Sequence, residues 1–395
     1  MINLCAQAAS FSSQPMFQIL SRVQQHERLG KRVLRFELGE PDFQTPKHIK
    51  QAAIDAISNG DTKYAPSGGL FEFKEAVIGT TLKSRGFSPS HGQILITPGA
   101  NSIIYFALKC VIEPGDEVVV PDPGFPTYFS AINALGGVAI PIALRPDLQF
   151  SFAVEDLKKL VTPRTRAIIL NSPGNPTGQQ IPLHLMQQAY DLAKKHNILL
   201  ISDEIYSRLS YGNSEFSSPS LFDECKENVL ILNGFSKAFS MTGWRIGVAI
   251  GPDNLISAME SLVSTIVSCV PPFIQRAGIQ AILGDQTENT AMRREYHNRA
   301  KLLVKGLNNI KGIECCMPSG AIYAFPSISG TGLTSAEFCD RLLEKCMISA
   351  TPGHFFGANG EGYVRFSTVT CEADINLAIK RMTEEFGAKG DLISR

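Results

Sequence analysis

Short runs of aliphatic and β-branched residues, separated by helix-length amphipathic segments, dominate the middle of the chain. The runs are Ile94–Thr97, Val118–Val120, Ala167–Leu170, Ile198–Ser202, Val229–Leu232 and Gly247–Ile250, and the intervening helical segments include Ile103–Val111, Leu183–Lys195 and Leu255–Val267. Continuous apolar runs of this length are typical of parallel strands that are buried on both faces. We therefore predict an α/β fold in which a mostly parallel sheet is flanked by helices.

The pattern changes after Pro271-Pro272 and indicates a second, smaller unit. A long helical segment, Ile274–Asn308, precedes several short strand runs and a closing helix over Glu372–Phe386. The strand runs are Ile313–Met317, Ile322–Phe325, Met347–Ala350 and Tyr363–Ser367. The first 45 residues lack the rhythm of the sheet, so we expect them to pack with this second unit. The predicted division is a large domain over residues 46–284 and a small α+β domain formed by residues 1–45 and 285–395.

Charge and composition exclude several broad classes of protein. The 395 residues are 44% hydrophobic, and the 37 basic residues balance the 37 acidic ones. A chain with this balance has no general electrostatic attraction to nucleic acid or to an anionic membrane. No apolar run reaches the roughly 18 residues that a membrane span requires. We therefore expect small molecules as partners, with no nucleic acid and no membrane.

The cysteines and the N-terminus bear on the cellular compartment. The nine cysteines form no C-x-x-C pair, and no H-E-x-x-H string is present, so the sequence predicts no metal site. Unpatterned cysteines in odd number indicate a reduced, cytoplasmic protein. Met1–Gln14 lacks the basic and apolar regions of a signal peptide.

Polar side chains follow three of the predicted strands at the point where each strand ends. Asn171–Gly178 follows one strand, Asp203–Tyr206 follows the next, and Asn233–Lys237 follows the third. Ligands in open parallel sheets bind beyond the carboxyl ends of the strands. An amide, a carboxylate, a phenol and an amine are therefore expected to meet at one edge of the sheet.

Pyridoxal phosphate requires such a set of groups. A lysine amine, here Lys237, must form a Schiff base with the cofactor aldehyde. A carboxylate, here Asp203, must pair with the pyridine nitrogen so that the ring stays protonated and accepts electrons. Asn175 and Tyr206 can donate hydrogen bonds to the phenolic oxygen of the ring.

A phosphate group also needs an anion site. The segment Thr97–Ser102 leads from a strand into a helix, and backbone N–H groups at the start of a helix bind anions. Arg245 follows closely after the lysine and can contact a phosphate through two N–H groups. Together these groups favour pyridoxal phosphate as the cofactor.

At this point the sequence resembles the class I/II pyridoxal-phosphate aminotransferases of fold type I, the aspartate-aminotransferase-like group. The resemblance runs in family order from about residue 35 to residue 367 and therefore covers nearly the whole chain. The matching strings are Gly39–Phe43, Tyr64–Gly69, Asn171–Gly178, Asp203–Tyr206, Ser236–Gly247 and Val364–Ser367. Of these, the string from lysine to arginine is the most specific.

The resemblance implies a role for each matching position. Lys237 would carry the cofactor and shuttle a proton, and Asp203 would hold the pyridine nitrogen. Arg365 would bind the substrate carboxylate, with Asn175 and the Gly39 backbone assisting. The remaining implied cofactor contacts are Tyr206 on the phenolic oxygen, Phe125 stacked on the ring, Arg245, Ser236, Gly99, Ala100 and Asn101 around the phosphate, and Tyr64 reaching the phosphate of a neighbouring subunit in a homodimer with shared active sites.

Two positions depart from the family pattern. Gly234 stands where many members have a phosphate-binding serine, three residues before the lysine. Asn101 stands where one branch of aspartate enzymes has a lysine that binds the substrate's side-chain carboxylate. A neutral amide cannot neutralise that carboxylate, so a strict preference for aspartate is not expected. We expect side-chain specificity to depend on Ala9–Ile19, on Asn101–Tyr105 and on the neighbouring subunit.

The resemblance implies an L-amino acid:2-oxo acid aminotransferase that works in two half-reactions, with 2-oxoglutarate and glutamate as one pair of partners. The same motifs also fit a C–S lyase or another enzyme that removes the Cα proton. A transcription regulator would need a DNA-binding module, for which the first 30 residues are too short. A nucleotide-binding enzyme would need a phosphate-binding glycine motif that the sequence lacks.

Overall fold

A computed structural model describes residue 2 and residues 16–212 and 217–389 of the chain. Within these ranges the strands are β1 (Leu34–Arg35), β2 (Ile94–Thr97), β3 (Glu117–Asp122), β4 (Val138–Ala143), β5 (Thr165–Asn171), β6 (Leu199–Asp203), β7 (Val229–Gly234), β8 (Gly247–Ile250), β9 (Tyr323–Ala324), β10 (Ile348–Ser349), β11 (Thr351–Pro352) and β12 (Val364–Ser367). The leader-free N-terminus predicted from Met1–Gln14 falls, apart from Ile2, outside the described residues.

The described helices alternate with these strands. They are α1 (Met16–Arg28), α2 (Lys47–Ser58), α3 (Phe71–Arg85), α4 (Ala100–Val111), α5 (Pro126–Ala134), α6 (Val154–Leu160), α7 (Leu183–His196), α8 (Ser220–Asp223), α9 (Asp253–Ile266), α10 (Pro272–Leu283), α11 (Thr287–Asn308), α12 (Ser335–Arg341) and α13 (Glu372–Phe386). None of them combines the length and the apolar character that crossing a membrane requires.

The central sheet has seven strands in the order β2-β8-β7-β6-β5-β3-β4. All neighbouring pairs are parallel except the two that involve β8, which runs antiparallel to β2 and to β7. The predicted α/β class and the mostly parallel sheet are therefore confirmed. The sequence analysis missed β4, a partly exposed edge strand whose apolar run contains Pro141, because a proline within a run weakens the strand signal.

Helices cover both faces of the sheet, and the strand residues alternate between two apolar cores. In β5, Ile168 and Leu170 pack on one side with residues of α3, α7 and α10. Ala167 and Ile169 of the same strand pack on the other side with residues of α4, α5 and α9. Burial on both faces explains why these strands are continuous apolar runs in the sequence.

A third apolar core contains residues from both ends of the chain. Leu34 and Phe36 near the N-terminus pack with Phe338, Phe366 and other buried residues of the C-terminal third. The short strand β1 pairs in parallel with β10, Leu34 lying opposite Ile348. The N-terminal segment is therefore attached to the C-terminal unit, and Gly39 and its neighbours lie between the two units.

Two details of the C-terminal third differ from the sequence-based expectation. The helical segment predicted over Ile274–Asn308 is two helices, α10 and α11, because Gly284 is extended and the Asp285 carboxylate accepts hydrogen bonds from the Thr287 backbone and hydroxyl. The strand predicted over Ile313–Met317 is reduced to an isolated bridge between Glu314 and Ser327. The closing helix α13 has the predicted bounds.

Candidate active site

The carboxyl ends of β5, β6 and β7 open into one pocket of about 390 Å³. Asn171 and Asp203 lie opposite each other at the ends of β5 and β6. The pocket brings together most of the predicted site residues, namely Gly39, Ala100, Asn101, Phe125, Asn175, Asp203, Tyr206, Ser236, Lys237, Arg245 and Arg365. Its size is in the range of pockets that hold a small cofactor.

Lys237 lies on the connection between β7 and β8. Its Nζ donates a hydrogen bond to the carbonyl oxygen of Gly39 at 2.6 Å. Desolvation in the pocket lowers the pKa of the Lys237 amine. A lowered pKa increases the fraction of the neutral amine, which is the form that attacks an aldehyde.

Asp203 ends β6 with its side chain buried in the pocket. The Tyr128 hydroxyl donates to Asp203 Oδ2 at 2.6 Å, and the backbone N–H of Ile205 donates to Oδ1 at 3.1 Å. The pKa of Asp203 is raised to about 6, mainly because the carboxyl group is buried. A cation placed against this carboxylate would favour its charged form, so Asp203 is suited to pair with a protonated ring nitrogen.

Arg365 lies on β12 and is almost completely buried, with 1% of its surface exposed. Its guanidinium lies between two aromatic rings, 4.4 Å from the centroid of Tyr323 and 4.9 Å from that of Phe356. Burial lowers the pKa of Arg365. The Nε atom has no hydrogen-bond partner among the described residues, although a buried N–H normally has one. Arg365 as a residue lines the pocket, so its guanidinium is placed close to where an anionic ligand would bind.

Asn175 connects Arg365 to the strand ends. Its side-chain oxygen accepts a hydrogen bond from Arg365 Nη1 at 3.0 Å, and its backbone N–H donates to Asn171 Oδ1 at 2.8 Å. The Asn171 amide in turn donates to the backbone oxygen of Asp203 at 3.0 Å. This chain of hydrogen bonds fixes the guanidinium of the C-terminal unit relative to the carboxylate of the sheet.

The opposite wall of the pocket has the features of an anion site. Gly99 precedes α4 with a φ of 87°, and a Cβ atom there would overlap the Arg245 guanidinium. Arg245 itself has a φ of 52°, a conformation that is unfavourable for a residue with a side chain. Among the described residues no carboxylate lies within 4.0 Å of its guanidinium, which donates to the Thr242 carbonyl at 3.1 Å. An unpaired arginine beside a helix start fits a phosphate group.

The structure places two predicted residues less centrally. Tyr64 does not line the pocket of its own chain, and 88% of its surface is exposed. Asn101 lines the pocket from the first turn of α4 and is exposed. Of the predicted specificity segment Ala9–Ile19, residues 9–15 lie outside the described residues, and Met16 lines the pocket.

Sequence reasoning missed two tyrosines of the pocket. Tyr128 lies in the first turn of α5, three residues after Phe125, and the two rings pack 5.6 Å apart; this spacing is a signal that could have identified it. Tyr323 hydrogen bonds through its hydroxyl to that of Tyr206, with 2.8 Å between the oxygens. Because Tyr206 and Tyr323 are separated by 117 residues, no local pattern indicates this contact.

Comparison with known proteins agrees with this geometry. The family model described as aminotransferase class I and II matches residues 31–382. An aspartate aminotransferase of Pyrococcus horikoshii is 38% identical over 352 residues, which cover 89% of this chain and 90% of the relative. An aromatic-amino-acid aminotransferase of Thermococcus litoralis is 36% identical over 353 residues, with the same coverage of 89% and 90%.

A solved structure shows that the similarity extends to the fold. The crystal structure of the aspartate aminotransferase of Rhizobium meliloti superposes with a TM-score of 0.93 at 33% identity, covering 97% of this chain and 98% of that one. The similarity therefore includes both units and all the strand ends that form the pocket. This chain belongs to the aminotransferase class I and II family, whose members are pyridoxal-phosphate-dependent enzymes of fold type I.

Proposed function

We propose that this aminotransferase binds pyridoxal phosphate in the pocket described above and transfers the amino group of an L-amino acid to a 2-oxo acid in two half-reactions. The observation that carries the proposal is that a desolvated lysine, a buried carboxylate and a buried arginine share one pocket. The C–S lyase considered from the sequence would use the same groups, but the relatives named above are both aminotransferases.

The residues present fit this cofactor at each of its polar groups. When bound, pyridoxal phosphate supplies an aldehyde that combines with amines and a ring that accepts electrons from the substrate Cα. Asp203 would hold the ring nitrogen, and Arg245 would hold the phosphate. The other proposed contacts are Tyr206 and Asn175 at the phenolic oxygen, Phe125 on the face of the ring, and Ser236, Gly99, Ala100 and Asn101 around the phosphate.

The chain's own groups then perform three tasks. Arg365 would bind the substrate carboxylate through its guanidinium and orient the Cα–H bond, with Asn175 and the Gly39 backbone beside it. Lys237 lies near Gly39, and desolvation lowers the pKa of its amine, so this amine would accept the Cα proton of the substrate and carry it within the pocket. The buried walls around Tyr323 and Phe356 exclude water, which strengthens the interaction of Arg365 with a carboxylate.

Replacing Arg365 with lysine tests the role of the guanidinium. The Arg365→Lys variant keeps the charge but loses the planar fork and its aromatic stacking. We expect kcat/KM for the amino donor to fall by about 100-fold, most of it as a rise in KM. Steady-state kinetics in which the amino donor is varied at a saturating concentration of oxo acid measure the change. The matched control is Arg381→Lys, in the C-terminal helix outside the pocket; an equal loss in both variants would contradict the proposed role.

Asn101 affects which side chains the enzyme accepts. Among the residues that the structure describes, the lysines and arginines that line the pocket are Lys237, Arg245 and Arg365, and each has a proposed partner other than the substrate side chain. We therefore propose that neutral side chains are accepted at least as well as acidic ones. In Asn101→Lys, kcat/KM for aspartate relative to phenylalanine should rise about tenfold. Asn101→Gln should leave the ratio unchanged, and a similar rise in that variant would contradict the charge argument.

Two further proposals concern organisation. The division into a large domain over residues 46–284 and a small domain of residues 1–45 and 285–395 agrees with the separate apolar cores. A homodimer is supported by Tyr64, which is exposed and away from its own pocket, and by the exposed apolar side chains of Phe71 and Ile266. Sedimentation of the purified protein tests the dimer. We also propose a cytoplasmic location, since the described cysteines are all free.

The decisive experiment for the proposed function uses a single amino acid without an acceptor. The protein loaded with pyridoxal phosphate should lose its visible absorbance on addition of glutamate and form one 2-oxo acid per site. Adding a 2-oxo acid should restore the original spectrum. Continuous release of ammonia and pyruvate from a sulfur-containing amino acid, without any acceptor, would instead indicate the lyase and overturn the proposal.

A further inference from the structure

One side chain that neither the motifs nor the comparisons assign, Tyr323, touches both halves of the pocket. It lies on β9, opposite Ser367 of β12, the strand that carries Arg365. Its ring is stacked on the Arg365 guanidinium at 4.4 Å, and its hydroxyl is 2.8 Å from the hydroxyl of Tyr206. Only 2% of its surface is exposed. Tyr323 therefore joins the group proposed to bind the substrate carboxylate to the group proposed to contact the cofactor.

The surroundings hold Tyr323 in this position. A Cβ atom on Gly39 would overlap the Tyr323 hydroxyl, so the glycine is needed for the tyrosine to fit. The ring of Tyr323 also packs at 5.7 Å from the ring of Tyr206 in an edge-on arrangement. No hydrogen bond of the Tyr323 hydroxyl other than the one to Tyr206 is found among the described residues. Its proton therefore has one protein acceptor.

The direction of this hydrogen bond matters because each phenol has a single proton. If Tyr206 donated to Tyr323, it would have no proton for a ligand in the pocket. An anionic oxygen on the pocket side attracts the Tyr206 proton, and the Tyr206 oxygen then accepts from Tyr323. Donors arranged in such a chain polarise and strengthen one another.

We infer that Tyr323 is a positioning residue of the transamination site: its hydroxyl orients the Tyr206 proton toward the phenolic oxygen of the cofactor, and its ring holds Arg365 in place for the substrate carboxylate. This inference rests on the proposed function. It assigns separate tasks to the hydroxyl and to the ring of one side chain, so two substitutions can distinguish them.

The hydroxyl is tested by the pH titration of the visible band of the bound cofactor. The band follows the proton on the nitrogen that joins the cofactor to Lys237. The charged groups facing this nitrogen are Arg365, Glu40 and Arg245 beside the tyrosine. In Tyr323→Phe a weaker donor leaves more negative charge on the ring oxygen, which favours protonation of the neighbouring nitrogen. We expect the midpoint of the titration to rise by about half a pH unit.

The ring is tested by substrate affinity. Tyr323→Phe keeps the aromatic stack on Arg365, so KM for the amino donor should stay within about twofold of the unaltered enzyme. Tyr323→Leu removes the stack, and KM should rise about tenfold. A tyrosine with a purely structural role would lower the melting temperature in both variants without moving the titration midpoint in the first.

The control variant is Tyr363→Phe, which alters a half-buried tyrosine stacked on Phe325 and outside the pocket. It should change neither the midpoint nor KM. If the unaltered protein shows no spectral response to amino acids, the proposed function fails. If it responds normally but Tyr323→Phe titrates like the unaltered protein, or Tyr323→Leu keeps its KM, the inference about Tyr323 alone is overturned.

Discussion

The Lys237→Ala variant should lose the half-reaction with an amino acid by a factor of at least about 10⁴, because no other amine is placed to move the Cα proton. Lys237 is the single lysine among the pocket-lining residues within the described part of the chain. Rapid mixing of the cofactor-loaded variant with glutamate, followed by absorbance, measures the rate of one turnover. The variant should also release pyridoxal phosphate on dialysis, since it lacks the covalent attachment.

The matched control for this experiment is Lys109→Ala, in an exposed lysine of α4 outside the pocket. It should react at the normal rate. Circular dichroism checks that both variants are folded. If both are folded and only Lys237→Ala loses activity, the loss is due to the missing amine and not to unfolding. Normal turnover by Lys237→Ala would refute the mechanism, because a second base would then have to perform the proton transfer.

The Asp203→Asn variant should show the second-largest effect, a fall in kcat/KM of about 10³-fold. The amide keeps the shape of the side chain and can still accept from Tyr128, but it has no charge to keep the ring nitrogen protonated. Steady-state kinetics at saturating cofactor measure this loss. Tyr128→Phe, which removes one hydrogen bond and keeps the charge, should cost about tenfold or less.

The pH dependence of cofactor binding tests the proposed role of the Asp203 carboxylate independently of the kinetics. Because burial raises the pKa of Asp203 to about 6, the carboxyl is increasingly neutral below that pH and no longer offsets the ring cation. Binding of pyridoxal phosphate to the apoprotein should therefore weaken as the pH falls through about 6 in the unaltered protein. The Asp203→Asn variant should not show this weakening of binding near pH 6. An identical pH profile of binding in both proteins would contradict the proposed pairing of Asp203 with the ring nitrogen.

The sequence predicted the parts of the site that lie directly after strands. Lys237, Asp203 and Asn175 each follow a continuous apolar run, and parallel packing brings the ends of such runs together. The contacts that tertiary packing creates were not predictable in this way. The backbone carbonyl oxygen of Glu37, for example, accepts a hydrogen bond from Arg365 Nη2 at 2.6 Å, and the two residues are 328 positions apart in the sequence. Only the folded C-terminal unit brings them together.

The sequence also failed to predict two features of the fold, the strand β4 and the break between α10 and α11, because neither has a clear local pattern. Strand β4 is a partly exposed edge strand with one neighbour, β3, and a proline within its apolar run, Pro141, weakens the strand signal in the sequence. The break between α10 and α11 depends on the conformation of Gly284, and an isolated glycine within a helical pattern does not by itself predict a break. Elements defined by their own periodicity, such as α7 and α13, were located to within one or two residues.

The antiparallel direction of β8 has a consequence for how this enzyme can diversify. A parallel strand beside β7 would require a crossover that returns the chain to the opposite end of the strands, whereas the antiparallel β8 starts where β7 ends, with Gly247 opposite Gly234. Lys237 and Arg245 therefore share one short connection that never leaves the pocket edge. This connection alone fixes the position of Lys237 relative to Arg245. Substitutions in α1 or α4 can therefore alter substrate choice during evolution without changing the spacing of the two residues proposed to hold the cofactor.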